Sequence, residues 1–244
     1  MARIKLTIEF DGTDYVGWQV QPNGVAVQQR VELALEQLLE EKVRVHSSGR
    51  TDAGVHALGM VCHLDSERDL PLTAWREGLN SFLPDSIAVQ HAEIVGDDFH
   101  ARFSAKGKRY RYSLLLSDVR SPLWRRTSWQ IRQLLDLQVM QQAAEMFVGS
   151  HDFAAFRTSG CAAETTQREI FSLSLIEDRP LLHIDVCGSG FLKNMVRMIV
   201  GTLVEIGRGK RPPGDVEKLL KLDPKTSPAL TAPAQGLCLM EVWY

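Results

Sequence analysis

The sequence lacks the features that mark a membrane-spanning, secreted or disordered protein. Its longest apolar runs are far shorter than the roughly 20 residues that a membrane helix needs. Its first residues, MARIKLTIEFDG, alternate between polar and apolar types instead of forming the apolar block of a signal peptide. No low-complexity tract occurs, and contents of 44% hydrophobic and 24% charged residues are typical of folded domains. We therefore expect a soluble, cytoplasmic, globular protein.

Motifs for cofactors and metals are also absent. The chain has no P-loop, no GxGxxG and no HExxH. Its four cysteines lie far apart and form no CxxC pair, which argues against a zinc ribbon or a redox motif; they are Cys62, Cys161, Cys187 and Cys238. We interpret them as buried free thiols and expect neither a cofactor nor a metal.

The net charge of only −2 gives no overall attraction to a polyanion, but the charges are unevenly distributed. Between Ala101 and Arg132, nine basic residues stand against one acid, Asp118. The basic residues are Arg102, Lys106, Lys108, Arg109, Arg111, Arg120, Arg125, Arg126 and Arg132. Aromatic residues stand among them: Phe103, Tyr110, Tyr112, Trp124 and Trp129. A solvated face explains most charge runs, but cations interleaved with aromatics favour contact with RNA.

Hydrophobic periodicity predicts strands and helices in both halves of the chain. The predicted strands are Ile4–Phe10, Val43–His46, Val61–Leu64, Ile87–Ile94, Arg109–Leu116, Ile170–Ile176, Leu181–Cys187 and Leu237–Val242. The predicted helices are Val27–Leu38, Leu72–Phe82, Leu134–Phe147, Phe191–Ile206 and Pro213–Leu220. A linker or crossover is expected near Gly96–Ala105. This order indicates an α+β fold with two similar layered subdomains.

The segment Ser48–Ala57 has the sequence SGRTDAGVHA. It brings an arginine, a carboxylate and a histidine close together around two glycines. Such a cluster, in a loop that joins two predicted strands, indicates a functional site. Asp52 is the first candidate for chemistry, although most loop aspartates only form Asx turns or helix caps. A metal site formed by Asp52, His56 and His63 is a second, weaker interpretation.

Three motifs carry a resemblance to a known family: GRTDAGVHA, KRYRYSLLL and GSGFLKNMVRMIVGTL. Together with KLTIEFDGTDYVGWQVQPN at the start and APAQGLCLMEVWY at the end, they resemble the tRNA pseudouridine synthase I (TruA) family along the whole chain. The resemblance implies an isomerase, an intramolecular transferase that converts uridine to pseudouridine without a cofactor. Its targets would be uridines at positions 38–40, in the anticodon stem-loop of tRNA.

The resemblance also implies an architecture. It predicts a pseudouridine synthase fold of two ferredoxin-like subdomains, which form a central mixed, mainly antiparallel sheet with a catalytic cleft. We expect residues 1–105 to carry the aspartate loop and residues 106–244 to carry the other site residues. The implied assembly is a homodimer with one tRNA spanning both subunits. A dimer would double the basic segment, which partly reconciles RNA binding with a pI near 6.4.

Five residues receive roles in the reaction from this resemblance. Asp52 is implied as the catalytic residue, acting as a nucleophile or as a base at the ribose. Tyr110 is implied to stack on the uracil and to assist removal of the proton at C5, and Arg197 to form an ion pair with Asp52. Arg50 is implied to hold the flipped nucleotide, and Leu237 to contact the uracil.

Tyr112, on the same face of its strand as Tyr110, is expected to be a structural neighbour. RNA contacts are expected from Lys108, Arg109, Arg111, Arg125, Arg126 and His151. Two alternatives remain open at this point. One is a noncatalytic tRNA-binding or tRNA-folding protein with the same fold, and the other is a metal-dependent hydrolase that uses Asp52 and His56.

Overall fold

The chain, in a computed structural model, is described over residues 1–158, 160, 163–228 and 230–244. These residues form two units, the first comprising Met1–Lys106 with Cys238–Tyr244 and the second comprising Gly107–Leu237. The predicted subdomains were 1–105 and 106–244, so the final strand lies in a different unit from the one expected. It belongs to the first unit because Cys238 and Leu239 pair in parallel with His56 and Ala57.

Ten strands and five α-helices are described. The strands are β1 (Ala2–Phe10), β2 (His46–Ser47), β3 (His56–Ser66), β4 (Ile87–Val95), β5 (Gly107–Leu116), β6 (Trp129–Ile131), β7 (Gly149–Asp152), β8 (Gln167–Asp178), β9 (Leu181–Gly188) and β10 (Leu237–Trp243). The helices are α1 (Val27–Leu39), α2 (Leu79–Phe82), α3 (Leu137–Glu145), α4 (Met195–Gly207) and α5 (Asp215–Leu220). A π-helical turn, Ala74–Gly78, precedes α2.

In the first unit, β1 lies between β3 and β4 and pairs antiparallel with both. The apolar residues that alternate along β1 are all buried on one face: Ile4, Leu6, Ile8 and Phe10. Helix α1 buries Val27, Val31 and Leu35, and Trp75 and Leu79 complete this core from the second helical segment. The core therefore forms because a strand of period two and a helix of period 3.6 each present one apolar face.

In the second unit, β5, β9, β8 and β7 pair in that order, each antiparallel to its neighbour. The short strand β6 runs parallel to the end of β5. Helix α4 packs against α3 and is buried nearly all round, with a fully buried stripe that includes Ile199 and Leu203. The expected α+β class with mainly antiparallel strands is confirmed.

Two sequence expectations concern features outside the site. Cys62 is a buried thiol, Cys187 and Cys238 are half-buried, and Cys161 lies outside the described residues. Burial raises the pKa of the Cys62 thiol. In the described part of the chain, none of the helices combines the length and apolar character that crossing a bilayer requires.

Candidate active site

The loop that joins β2 to β3 is anchored by buried residues and leaves the side chains of Arg50 and Asp52 accessible to solvent. Ser48, Thr51, Val55 and His56 are buried, whereas Arg50 is exposed and Asp52 is half-buried. The backbone of Ser48 donates to Val61 O at 2.7 Å, and Val55 N donates to Asp52 O at 3.2 Å. Because both ends of the loop are tied down, the carboxylate of Asp52 is held at a defined place on its unit.

A second loop, between β1 and α1, supports this one through backbone contacts. Asp52 forms an antiparallel bridge with Gly17, and Trp18 N donates to Thr51 O at 3.2 Å. Gly17 has φ +112°, and a Cβ placed there would lie 2.5 Å from Thr51 O. Only glycine combines this backbone conformation with so close an approach. The conformation of the Asp52 loop therefore depends on residues about 35 positions earlier in the chain.

His56 links the same two loops by its side chain. Its Nδ1 accepts a hydrogen bond from Gly12 N at 3.1 Å and lies 3.1 Å from Asp11 Oδ1. A neutral ring accepts from the amide, whereas a protonated ring donates to the carboxylate. Both arrangements hold the start of β3 against the turn after β1. This placement fits the supporting role of His56 better than a role as a metal ligand.

Histidine and acidic side chains do not assemble into a metal centre in the described residues, where no group of three or more His, Cys, Asp or Glu is arranged to hold an ion. His56 is the first residue of β3, and His63 lies seven residues further along the same strand. At about 3.4 Å per residue, this separation is roughly 24 Å. One ion cannot bind both histidines, so the interpretation of Asp52, His56 and His63 as a shared metal site is wrong.

Tyr110 and Tyr112 project from the same face of β5, as the alternation predicts, and both are buried. Tyr110 is 9% exposed, and its ring meets Phe191 edge to face with centroids 5.2 Å apart. Tyr112 is fully buried and its hydroxyl donates to Pro233 O at 2.7 Å. Burial raises the pKa of the Tyr112 hydroxyl. The full burial and the hydroxyl bond of Tyr112 fit a structural neighbour, whereas Tyr110 keeps a small exposed fraction.

Arg197 emerges half-buried from the apolar helix α4. Its Nε donates to Ala232 O and its Nη1 to Asn194 Oδ1, each at 2.7 Å. These two bonds give the arginine polar partners beside an otherwise apolar stripe. The predicted ion pair between Arg197 and Asp52 stays a prediction.

The basic residues of the β5 region differ in their exposure to solvent. Arg111 forms a bidentate pair with buried Asp185, at 2.7 and 2.9 Å, and Arg109 Nη1 lies 3.8 Å from the same carboxylate. Arg125 and Arg126 are exposed, in the segment between β5 and β6. Of the interleaved aromatics, Phe103 is 77% exposed and Trp124 is 41% exposed, whereas Tyr110 and Tyr112 are buried.

Two further predicted residues have clear positions in the second unit. His151 lies on β7, where its Nε2 is 3.0 Å from Val148 O and its ring packs near Phe153. Leu237 is the first residue of β10 and is 5% exposed. These placements neither assign nor remove a role in substrate binding, so both roles stay predictions.

Sequence reasoning missed two kinds of supporting residue. Gly12 and Gly17 lie in the motif KLTIEFDGTDYVGWQVQPN and carry no separate prediction, although two glycines outside regular structure signal a close backbone approach. Asn194 carries no sequence prediction, because the apolar stripe that follows it dominates the pattern. An asparagine directly before such a stripe is nevertheless a helix-start signal.

Comparison with known proteins assigns the family. A family profile described as tRNA pseudouridine synthase matches residues 6–104 and 143–244. A protein of Syntrophotalea carbinolica called tRNA pseudouridine synthase A is 58% identical over 244 residues, which cover 100% of this chain and 97% of that protein. Proteins of the same name from Geobacter sp. (strain M21) and Myxococcus xanthus are 56% and 48% identical, over 100% of this chain and 99% and 92% of their own lengths.

Solved structures add a weaker likeness. The crystal structure of a Cbf5-Nop10-Gar1 complex aligns with 96% of this chain and 57% of that chain, with a TM-score of 0.35 and 10% identity. That similarity is too low to support an argument, whereas the profile match and the relatives cover most of the sequence. The chain belongs to the tRNA pseudouridine synthase family.

Proposed function

We propose that the protein is an isomerase that converts uridine to pseudouridine in tRNA. The observation that carries this proposal is the 58% identity with a tRNA pseudouridine synthase A across the full chain. The reaction breaks the bond between N1 of uracil and C1′ of the ribose and joins C5 to C1′. C5 loses a proton and N1 gains one, so no electron or group is exchanged with a second molecule. The chemistry therefore requires no cofactor.

Asp52 is the proposed catalytic residue. Its loop is anchored by buried neighbours and by the bridge to Gly17, which holds a half-buried carboxylate in a fixed position. Partial burial limits the access of water, which would otherwise hydrolyse a detached sugar intermediate. The carboxylate can attack C1′ or remove a proton from the ribose, and both routes need an ionised Asp52.

Four further residues are proposed to serve the same reaction. Tyr110 is proposed to stack on the uracil and to assist proton transfer at C5; the edge-to-face contact of its ring with Phe191 supports a defined ring orientation. Arg197 offsets the charge of Asp52, and Leu237 contacts the uracil. Arg50 is exposed beside Asp52 in the sequence and can occupy the space left when the target nucleotide leaves the RNA stack.

The proposed substrate is the anticodon stem-loop of tRNA, modified at positions 38–40. Phosphate contacts are proposed for Lys108, Arg109, Arg111, Arg125, Arg126 and His151. Exposure favours Arg125 and Arg126 in this role, whereas Arg109 and Arg111 share their charge with Asp185. We further propose a homodimer that binds one tRNA across both subunits, in the cytoplasm where tRNA substrates are processed.

The experiment that tests this function is the mapping of pseudouridine in tRNA treated with purified protein, without added metal or nucleotide. We expect modification in the anticodon stem-loop, unaffected by a chelator. Asp52→Asn should bind tRNA but form no pseudouridine. Modification confined to another arm would contradict the proposed substrate. Binding without any modification by the unaltered protein would favour the noncatalytic alternative, and inhibition by the chelator would favour the hydrolase alternative.

A further inference from the structure

Asn194 lies directly before α4, three residues ahead of Arg197, and both ends of its side-chain amide are engaged. Its Oδ1 accepts from Arg197 Nη1 at 2.7 Å, and its Nδ2 donates to Thr158 Oγ1 at 2.9 Å. An arginine side chain can only donate hydrogen bonds, so the amide oxygen must face it. This requirement fixes the orientation of the amide and directs its NH₂ group to Thr158.

The Asn194 side chain does not cap the backbone of α4. An asparagine at this position commonly accepts a hydrogen bond from a backbone N–H in the first helical turn. No such side-chain cap is formed at this helix start within the described residues, because Oδ1 faces Arg197 instead. The backbone of Asn194 is also unusual, with φ +63° in the left-handed region. Asparagine tolerates that region better than most residues, but still at a cost.

Arg197 is held at a second point as well. Its Nε donates to Ala232 O at 2.7 Å, and Ala232 N donates back to Arg197 O at 3.2 Å. The guanidinium group is planar and its donors point in fixed directions. Bonds to two of its nitrogens, from Asn194 and Ala232, therefore define the plane of the whole group. Removing the bond to Asn194 therefore removes one of the two bonds that define this plane.

We propose that Asn194 is a positioning residue that sets the orientation of the Arg197 guanidinium for uridine isomerisation. This inference rests on the proposed function, in which Arg197 offsets the charge of Asp52. The bond to Thr158 fixes the orientation of the Asn194 amide. The segment after β7, which carries Thr158, therefore also contributes to the orientation of the Arg197 guanidinium. Asn194 has no predicted contact with the uridine and acts only through Arg197.

The test compares tRNA modification rates of Asn194→Gly with those of the unaltered protein. Glycine adopts φ +63° without strain, so this variant removes the side chain while keeping the helix start. A hydrogen bond to a charged group contributes enough to predict a loss in kcat of roughly 10- to 100-fold. KM for tRNA should change by less than about 3-fold, because the RNA contacts are retained.

Glu40→Gly is the matched control. Glu40 also has a left-handed backbone, with φ 57°, at the end of helix α1, and its side chain is exposed. We expect kcat within about 2-fold of the unaltered protein for this variant. Thr158→Val provides a second test should Asn194→Gly fail to fold. It leaves Asn194 in place, removes the bond to Nδ2, and should lower kcat by a smaller factor in the same direction.

A double-mutant cycle separates positioning from general structural damage. In an Arg197→Gln background, Asn194→Gly should lower kcat by less than about 3-fold, because the group that Asn194 orients is gone. Equal losses in both backgrounds, or a normal kcat for both Asn194→Gly and Thr158→Val, would overturn the inference. Absence of pseudouridine formation by the unaltered protein would instead refute the proposed function and this inference with it.

Discussion

Acid should destabilise the first unit through His63. This residue lies on β3, is 3% exposed, and its Nδ1 accepts from Ala101 N at 3.2 Å. The rings of His46 and His100 lie 5.1 and 4.7 Å from its ring, centroid to centroid, and Arg3 adds a positive charge nearby. Burial first, and then the neighbouring cations, lower the pKa of His63 from 6.5 to about 4.

The sign of the effect follows from proton binding. Between pH 6.5 and 4 the unfolded chain binds a proton at His63 that the folded protein does not. The contribution of His63 to the free energy of unfolding is therefore fully present above pH 6.5, decreases as the pH drops, and levels off below about pH 4. The total loss attributable to this residue is about 3 kcal/mol, of which about 2 kcal/mol is lost by pH 5. Burial also lowers the pKa of His100, which acts in the same direction.

Urea unfolding at pH 7.5 and pH 5 measures this effect. His63→Gln keeps an acceptor for Ala101 N but cannot titrate in this range. On acidification from pH 7.5 to pH 5, its free energy of unfolding should therefore fall by about 2 kcal/mol less than that of the unaltered protein. His91→Gln, on the exposed edge of β4, is the matched control and should follow the unaltered protein. Identical pH dependence for His63→Gln and the unaltered protein would refute the argument.

Three other substitutions test individual features of the site and its support. Gly17→Ala places a Cβ 2.5 Å from Thr51 O at φ +112°, so thermal unfolding should show a loss of roughly 1–3 kcal/mol and kcat should fall with it. Arg50→Ala should leave the free energy of unfolding within about 0.5 kcal/mol, because the side chain is exposed, while lowering kcat about 10-fold or more. Asp185→Asn breaks the bidentate pair with Arg111 and should cost about 2–3 kcal/mol in urea unfolding, since Asp185 is buried.

Most of the regular elements were predictable because their signals are local. The alternation in β1 and the apolar stripe of α4 gave correct positions to within a few residues. The limits of β3 were not predictable in this way. It runs from His56 to Ser66, well beyond the predicted Val61–Leu64, because pairing with β1 along nearly its whole length extends it.

The short strands were predicted poorly for a related reason. A strand was predicted at Val43–His46, but β2 comprises only His46–Ser47. Val45 N donates to Glu32 Oε1, on helix α1, at 3.2 Å instead of to a neighbouring strand. The strands β6 and β7 were not predicted, because three or four residues carry too little periodicity to be recognised.

The candidate site was predictable where one motif contains its residues and unpredictable where distant segments meet. Arg50, Asp52 and His56 stand together in the sequence, so their clustering needs no fold. The bridge between Gly17 and Asp52 joins segments that lie 35 residues apart, and the bond from Arg197 to Asn194 depends on a left-handed backbone at Asn194 that apolar periodicity does not specify. Roles in catalysis came from the family resemblance and not from periodicity or charge.

The most direct measurement of the central claim follows the hydrogen on C5 of uridine. Isomerisation must release that hydrogen, whereas binding or refolding of tRNA does not. An anticodon stem-loop tritiated at C5 of its uridines, incubated with the purified protein alone, should release tritium to solvent. Asp52→Asn should bind the same RNA with similar affinity and release none. Equal release by Asp52→Asn, or no release by the unaltered protein when the RNA is bound, would contradict the account.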